Sequence, residues 1–392
     1  MTSLRVSALV VAVALVLTGC TAAPPDPVPT VPPRPAPPPV DPVQQYADDR
    51  LSVMTLDQKI LSMLMIHLPG FDAASMGSMV AANQLGGLIL LGDNIPDPPG
   101  ALGGMTPLLS AESGLPVLVA IDQEGGVVAR IWTDTFPGAE QLRVLPPSAA
   151  RDAFAQRGAL LEAVGVSVNF GIVADVAGDP ASFIYDRSLG GTAADAAARV
   201  AEAVEGESGE VLSTLKHFPG HGVSPGDSHS SIPTTSISLA DWLTGHAPPF
   251  VAGIDAGAEF VMLGHLQFDA IDPQPATLSP LWHKVLRDEL GFDGIIISDD
   301  MNMLQNSGRA DLADQAQNAV RAVAAGSTML LYVGSVDIPL VVGAIRTAVL
   351  AGDIPMATIN DAARRLLVLR RTLSGETGRF SRCLADCQGI IE

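Results

Sequence analysis

The sequence predicts an α/β protein built as a single (β/α)8 (TIM) barrel with no second α/β sandwich domain. Two observations carry this expectation. Eight short, mainly apolar runs recur along the chain, most of them separated by stretches of helical character, and they read as continuous rather than alternating apolar strands. Continuous apolar strands are the pattern of a parallel sheet covered on both faces, and eight strand–helix units in one long domain are the make-up of a (β/α)8 barrel. The runs are Met63–Leu68, Gly87–Leu91, Pro116–Ile121, Val166–Val173, Val211–Lys216, Glu259–Leu263, Gly294–Ser298 and Thr328–Val333. Helical stretches include Ala149–Ala163, Ala193–Glu205, Pro280–Leu290 and Ala310–Ala325, and Ile359–Leu373 reads as a closing amphipathic helix. A doubly wound sheet is the other architecture that such an alternation permits.

The ends of the chain have a different character. Met1–Arg5 carries one positive charge, and Val6–Leu17 is an apolar run too short for a bilayer, which takes about 20 residues. It suits the core of a signal peptide. Leu17-Thr18-Gly19-Cys20 follows directly and resembles a bacterial lipobox, so Cys20 is the expected lipidation site and the protein is expected to be exported and anchored by lipid to the outer face of the cell membrane. Residues 21–42 hold eleven of the chain's 31 prolines, an extended composition that builds no core. The expected organisation is a signal peptide over 1–19, a Pro-rich tether over 20–45, the barrel over 46–375 and a tail over 376–392. Cys383 and Cys387 in that tail are spaced for a small disulfide loop in an oxidising compartment.

Composition narrows the function. The chain is 47% hydrophobic and 16% charged, with a formal net charge of −20 and only Lys59, Lys216 and Lys284 as lysines. Nucleic-acid binding needs a basic footprint and is excluded; the same charge disfavours an anionic polymer as target. A monomer is expected.

Catalytic groups of such a barrel lie just past the C-terminal ends of its strands. Four of the apolar runs end in polar or ionisable residues: Asp122-Gln123-Glu124-Gly125-Gly126, Lys216-His217-Phe218-Pro219-Gly220-His221-Gly222, Gly264-His265, and Ser298-Asp299-Asp300. His217 and His221 are spaced like a helical metal pair, but Pro219, Gly220 and Gly222 break any helix there, so no metal is expected. Gly222-Val223-Ser224-Pro225-Gly226 matches a serine-hydrolase elbow, yet Pro225 lacks the N–H that such an elbow supplies after its serine. Asp227 and His229, two apart, suit an imidazole acid/base steadied by a carboxylate. A carboxylate at the end of the Gly294–Ser298 run suits a nucleophile; the residues alone do not choose between Asp299 and Asp300.

Lys216–Gly222, the Asp227-Ser228-His229 triplet and Ile297–Met303 together resemble glycoside hydrolase family 3, in its bacterial β-N-acetylglucosaminidase branch. Asp122–Gly126 with Arg130, and Arg187 in Asp186-Arg187-Ser188-Leu189, resemble that branch's sugar-binding motifs, and the likeness runs from about Leu51 to Leu373. Val127 stands where an arginine is common. The resemblance implies a retaining β-N-acetylhexosaminidase with Asp299 as nucleophile, His229 as acid/base and Asp227 as its partner. It implies that Asp122, Arg130, Arg187, Lys216 and His217 hold N-acetylglucosamine, and that no cofactor is needed. The expected substrates are muropeptides or other cell-wall (peptidoglycan) fragments outside the membrane. Gly220, Gly222 and Gly226 suggest a loop able to move the acid/base. Two alternatives stand beside this reading: a phosphorylase, because a neutral imidazole does not repel phosphate, and an inactive lipid-anchored sugar-binding protein. A β-glucosidase of the same family would carry a second domain for which the chain lacks length.

Overall fold

The computed structural model describes Gly19 and residues 41–380; Cys20, the tether before residue 41, Cys383 and Cys387 lie outside the described residues. All eight expected runs form strands: β1 Leu64–His67, β2 Gly87–Leu90, β3 Leu118–Ile121, β4 Val168–Val173, β5 Leu212–Phe218, β6 Phe260–Leu263, β7 Ile295–Ser298 and β8 Leu330–Tyr332. They pair in parallel and in chain order, with β1 also beside β8 through Leu64↔Leu330. A bridge from Ile297 to Met329 joins β7 to the last strand and closes the cylinder. Closure rules out the doubly wound sheet, which keeps two open edges.

The strands lie almost wholly out of water, which is why their sequences do not alternate. Helices Ala73–Asn83, Ser148–Glu162, Ala193–Glu207, Ala247–Asp255, Gln315–Ala325 and Ile338–Ala351 cover the outside. After β2 the cover is two short 3-10 turns, Pro99–Gly104 and Thr106–Leu109, in a segment whose prolines and glycines do not sustain an α-helix. Two expected helices are subdivided. Pro280–Lys284 passes into a π-helical turn over Val285–Glu289, and the stretch from Ala310 divides into a short turn and the helix Gln315–Ala325, whose start Asp314 caps through the Ala316 and Gln317 N–H groups.

The folded body begins earlier than the tether boundary at residue 45 implies. Pro42 opens the helix Pro42–Val53, with Asp41 accepting the Val43 N–H. Proline at a helix's first position costs no hydrogen bond, so the last proline of the run belongs to the domain. The closing helix Met356–Leu373 packs beside this first helix, and Phe380 lies edge-on to Tyr46 at 5.7 Å.

One aromatic cluster bears directly on the site. Phe218, the last residue of β5, packs edge-on against Phe250, Trp242 and Trp282 at 5.2–5.8 Å, and the Trp242 indole N–H donates to the Pro219 carbonyl at 2.7 Å. The strand end that presents Lys216 and His217 is thereby anchored in the hydrophobic layer between sheet and helices.

Candidate active site

A cleft of about 310 Å³ opens at the C-terminal ends of the strands. Asp122, Glu124, Arg130, Arg187, Lys216, His217, Ser228, His229, Asp299 and Asp300 line it, with Ile89, Met262 and Leu331 supplying apolar wall. Every sugar-binding and acid/base residue expected from the sequence except Asp227 borders this one cavity, and Asp227 adjoins it through His229.

Its base is an ionic lattice. Lys216 Nζ, buried, donates to Asp122 Oδ1 at 2.9 Å and pairs with Glu124 Oε1 at 2.7 Å. Arg187 grips Glu124 with two bonds, 2.9 and 2.7 Å, and reaches His217 Nε2 at 3.4 Å. Arg130 contacts Asp122 at 3.4 Å. Burial by itself would raise the Asp122 and Glu124 carboxyls; Lys216 with Arg130, and Lys216 with Arg187, outweigh it and hold both below the usual carboxylate range. Burial likewise opposes the charge on Lys216, and the two carboxylates reverse the effect and raise its pKa. Fixed charges in such a pocket stay dehydrated and oriented, the carboxylates ready to accept hydrogen bonds from the polar groups of a ring and the cations ready to donate to them.

Behind this lattice, Asp175 follows the end of β4. It meets His217 Nδ1 at 2.8 Å, accepts the His217 backbone N–H at 3.2 Å and accepts the His221 N–H at 2.6 Å. One buried carboxylate thus orients His217 and the entry of the next loop. Gln123 does the same for the β3 loop: its side-chain oxygen accepts the Arg130 and Ile131 N–H groups, and its amide nitrogen donates to Asp134 at 2.8 Å. Asp134 in turn forms a fully buried pair with Arg157 at 2.7 Å.

Asp299 and Asp300 follow β7 and differ in environment. Asp300 caps the helix Met301–Asn306, accepting the Asn302 N–H at 3.1 Å and the Val333 N–H at 2.9 Å. Burial and the neighbouring Asp299 push its carboxyl up, against those two hydrogen bonds. Asp299 accepts only the Asp300 N–H, at 2.8 Å, among the described residues. Burial would raise it, but His217, His265, that N–H and Lys216 prevail and keep it below the carboxylate norm. His265, fully buried, donates from Nε2 to the Asp300 carbonyl at 2.8 Å while the Thr277 hydroxyl lies 2.8 Å from Nδ1.

The loop after β5 brings in the dyad. Asp227 Oδ1 meets His229 Nδ1 at 2.6 Å and accepts the His229 N–H at 2.9 Å. Slight burial notwithstanding, these contacts lower the Asp227 pKa. The His229 side chain is 62% exposed, and its hydrogen bonds among the described residues go to Asp227 through Nδ1 and the backbone N–H, leaving Nε2 unpartnered there. Ser228 ties the loop to buried His221 at 3.2 Å. Gly222 sits where a Cβ would fall 1.9 Å from the Val176 carbonyl oxygen, so only glycine lets the loop pass this close to the β4 loop.

Sequence reasoning did not single out Glu124, Asp175 or the role of His265. Glu124 lies inside the Asp122–Gly126 motif, two residues from Asp122, and Asp175 lies two past the Val166–Val173 run; the strand-end rule applied to all eight runs reaches both. Val127, at the tip of the tight Gly125–Val128 hairpin, is 65% exposed. No group of three metal-ligating side chains is found among the described residues.

A closed barrel whose C-terminal mouth gathers carboxylates, imidazoles and buried cations around a small polar cleft has the groups that glycoside hydrolysis uses. The model of the glycosyl hydrolase family 3 N-terminal domain matches residues 55–369. The chain is 30% identical over 314 residues to the beta-hexosaminidase LpqI of Mycobacterium tuberculosis, covering 76% of this chain and 79% of that protein. It is 32% identical over 320 residues to a beta-hexosaminidase of Idiomarina loihiensis, covering 78% and 92%. Its fold superposes on a glycoside hydrolase family 3 beta-N-acetylglucosaminidase from a Paenibacillus species with a TM-score of 0.76 and 31% identity, covering 86% of this chain and 66% of that one. This chain belongs to glycosyl hydrolase family 3, and it is a glycoside hydrolase.

Proposed function

We propose that the protein is a retaining β-N-acetylhexosaminidase that removes terminal N-acetylglucosamine. The observation that carries this is the division of labour at the cleft: a lowered, singly bonded carboxylate at Asp299 and a carboxylate-paired imidazole at His229 whose Nε2 has no partner among the described residues. Beta-hexosaminidase relatives at 30–32% identity support the substrate class. Asp122, Glu124, Arg130, Arg187, Lys216 and His217 hold the sugar. Asp299 attacks C1, forming the ester bond as the glycosidic C1–O bond breaks, and His229 Nε2 passes its proton to the leaving oxygen. Water then attacks C1 and releases Asp299, with His229 taking the water's proton; two inversions retain the β configuration. Asp227 steadies the imidazolium that gives its proton in the first step and re-forms in the second. The Gly220, Gly222 and Gly226 loop carries His229 toward and away from the leaving oxygen.

The physiological setting we propose is the outer face of the cell membrane. Cys20 carries the lipid, the proline run spaces the barrel from the surface, and a monomeric enzyme trims cell-wall fragments ending in N-acetylglucosamine. The test is release of nitrophenol from 4-nitrophenyl N-acetyl-β-glucosaminide, with Asp299→Ala and His229→Ala beside the parent. Turnover in the parent and its loss in both variants is expected, at a rate independent of added phosphate. A parent silent on this substrate overturns the activity, and a rate proportional to phosphate replaces hydrolysis by phosphorolysis.

A further inference from the structure

His229 needs its Nε2 aimed at one oxygen atom, yet its ring is largely exposed and, among the described residues, its side-chain hydrogen bonds go only to Asp227, two residues away in the same loop. A dyad held within one loop fixes Nδ1 but not the tilt of the ring relative to the barrel. A second contact comes from a different strand end. Phe183, in the loop after β4, meets the His229 ring edge-on at 5.7 Å and 71°, and the same phenyl ring lies 5.3 Å from the buried His221 imidazole. Phe183 is 39% exposed, so its ring is not core. Its base is firm, however: Ile184 is fully buried with Val173 and Ala177, the Tyr185 ring lies under Arg143 at 3.9 Å, and Arg187 clamps Glu124. A half-exposed aromatic on a rigid mount, packed against the two histidines that bracket the acid/base loop, is placed to orient rather than to stabilise.

We infer that Phe183 is a positioning residue for the proton donor: its ring sets the plane of the His229 imidazole so that Nε2 faces the leaving oxygen. The inference rests on the reading of His229 as acid/base. It predicts a loss that depends on the leaving group. A dinitrophenolate departs without a proton, whereas methoxide does not, so only the second reports the donor's aim; a methyl aglycone is also too small to stack on Phe183. kcat/KM reports events up to the glycosyl-enzyme, where the proton is given.

The experiment measures kcat/KM of the parent, Phe183→Leu and Phe183→Tyr on methyl and on 2,4-dinitrophenyl N-acetyl-β-glucosaminide, with thermal unfolding of each. Phe183→Leu is expected to lose about tenfold on the methyl glycoside, the scale of a modest misalignment of a general acid. On the dinitrophenyl glycoside it is expected to stay within about twofold, while Phe183→Tyr, which keeps the ring, restores both. Equal losses on both substrates, no loss on either, or a loss seen only with a sugar aglycone such as N,N′-diacetylchitobiose overturns the inference. A parent active on neither substrate overturns instead the hexosaminidase reading beneath it.

Discussion

Asp299 and Asp300 share a peptide bond, and their surroundings separate them. Asp300 Oδ1 both caps a helix and accepts the Val333 N–H, a structural role that ties this carboxylate to two backbone segments, whereas Asp299 accepts one N–H among the described residues. Asp299→Asn is therefore expected to lower kcat/KM on an aryl N-acetylglucosaminide by at least about 10³-fold, whereas Asp300→Asn, which keeps the cap, is expected to stay within about tenfold. Steady-state rates of the two variants decide this, and the reverse order sinks the assignment. A second carboxyl, Glu207, lies out of water and out of the cleft. It accepts the Asn169 amide at 2.5 Å and the Ser213 hydroxyl at 2.8 Å, and Asn169 also bonds both the N–H and the C=O of Gln123 beside Asp122. Burial outweighs those hydrogen bonds and pushes Glu207 from 4.5 up to about 8. The folded state thus keeps a proton that the unfolded chain releases near pH 4.5. The group's contribution to stability is full below that pH and declines as pH rises toward 8, by about 3 kcal/mol between pH 5 and pH 8. Urea unfolding should show Glu207→Gln gaining on the parent as pH rises; a constant difference across that range refutes the argument.

Two loops hold most of the site, and each depends on a position with no spare room. In the β3 loop, Gly125 has φ +82° and a Cβ there would lie 2.1 Å from Arg157 Nη2, so the hairpin carrying Glu124 closes directly over the buried Asp134–Arg157 pair. Arg157→Met leaves Asp134 charged and unpaired in the interior; a loss of roughly 3–5 kcal/mol in urea unfolding is expected, larger than for truncating an exposed pair. In the β5 loop, Gly222→Ala drives a methyl into the Val176 carbonyl. The loop must shift, carrying Asp227 and His229 with it. Activity is expected to fall by about 10² or more, and because His221, Ser224 and Ser228 in the displaced segment are buried, the thermal midpoint falls with it. A midpoint drop without loss of activity contradicts this account. The dyad itself was legible in the sequence because Asp227 and His229 are two apart. The Asp175 contacts to His217 and His221, and the Phe183 contact to His229, span 42 to 46 residues and link separate strand ends, and no local pattern announces them.

At the scale of the chain, the catalytic body and the expected anchor are separable. The body starts at Asp41, where a capped helix begins, and residues 42–373 form the barrel and its flanking helices. A chain beginning at Asp41 is expected to be soluble, aided by the strong negative charge, and to keep kcat/KM on the aryl substrate within about twofold of the full chain. In a lipid-modifying bacterial host the full chain is expected in the membrane fraction and Cys20→Ala in the soluble one, with equal turnover. A soluble full chain argues against the anchor, and an inactive truncated chain shows that the N-terminal stretch takes part in the fold.

What the sequence determined by itself was the periodic part of the molecule. Strand burial on both faces writes itself as continuous apolar runs, helix cover as amphipathic stretches between them, and the strand-end rule puts Asp122, Lys216, His217 and Asp299 on one rim. Boundaries that depend on caps, such as Pro42 and Asp314, shifted by a few residues, because a cap is settled by one side chain and not by a period. Tertiary structure alone decided that the sheet closes, through a bridge between Ile297 and Met329, and which charges meet. Asp299 and Asp300 have the same intrinsic acidity; a helix N-terminus claims one, and the electrostatic field of His217, His265 and Lys216 draws down the other. That field is a sum over groups that β5 and β6 bring to the end of β7, and it exists only once the barrel has brought those strands side by side.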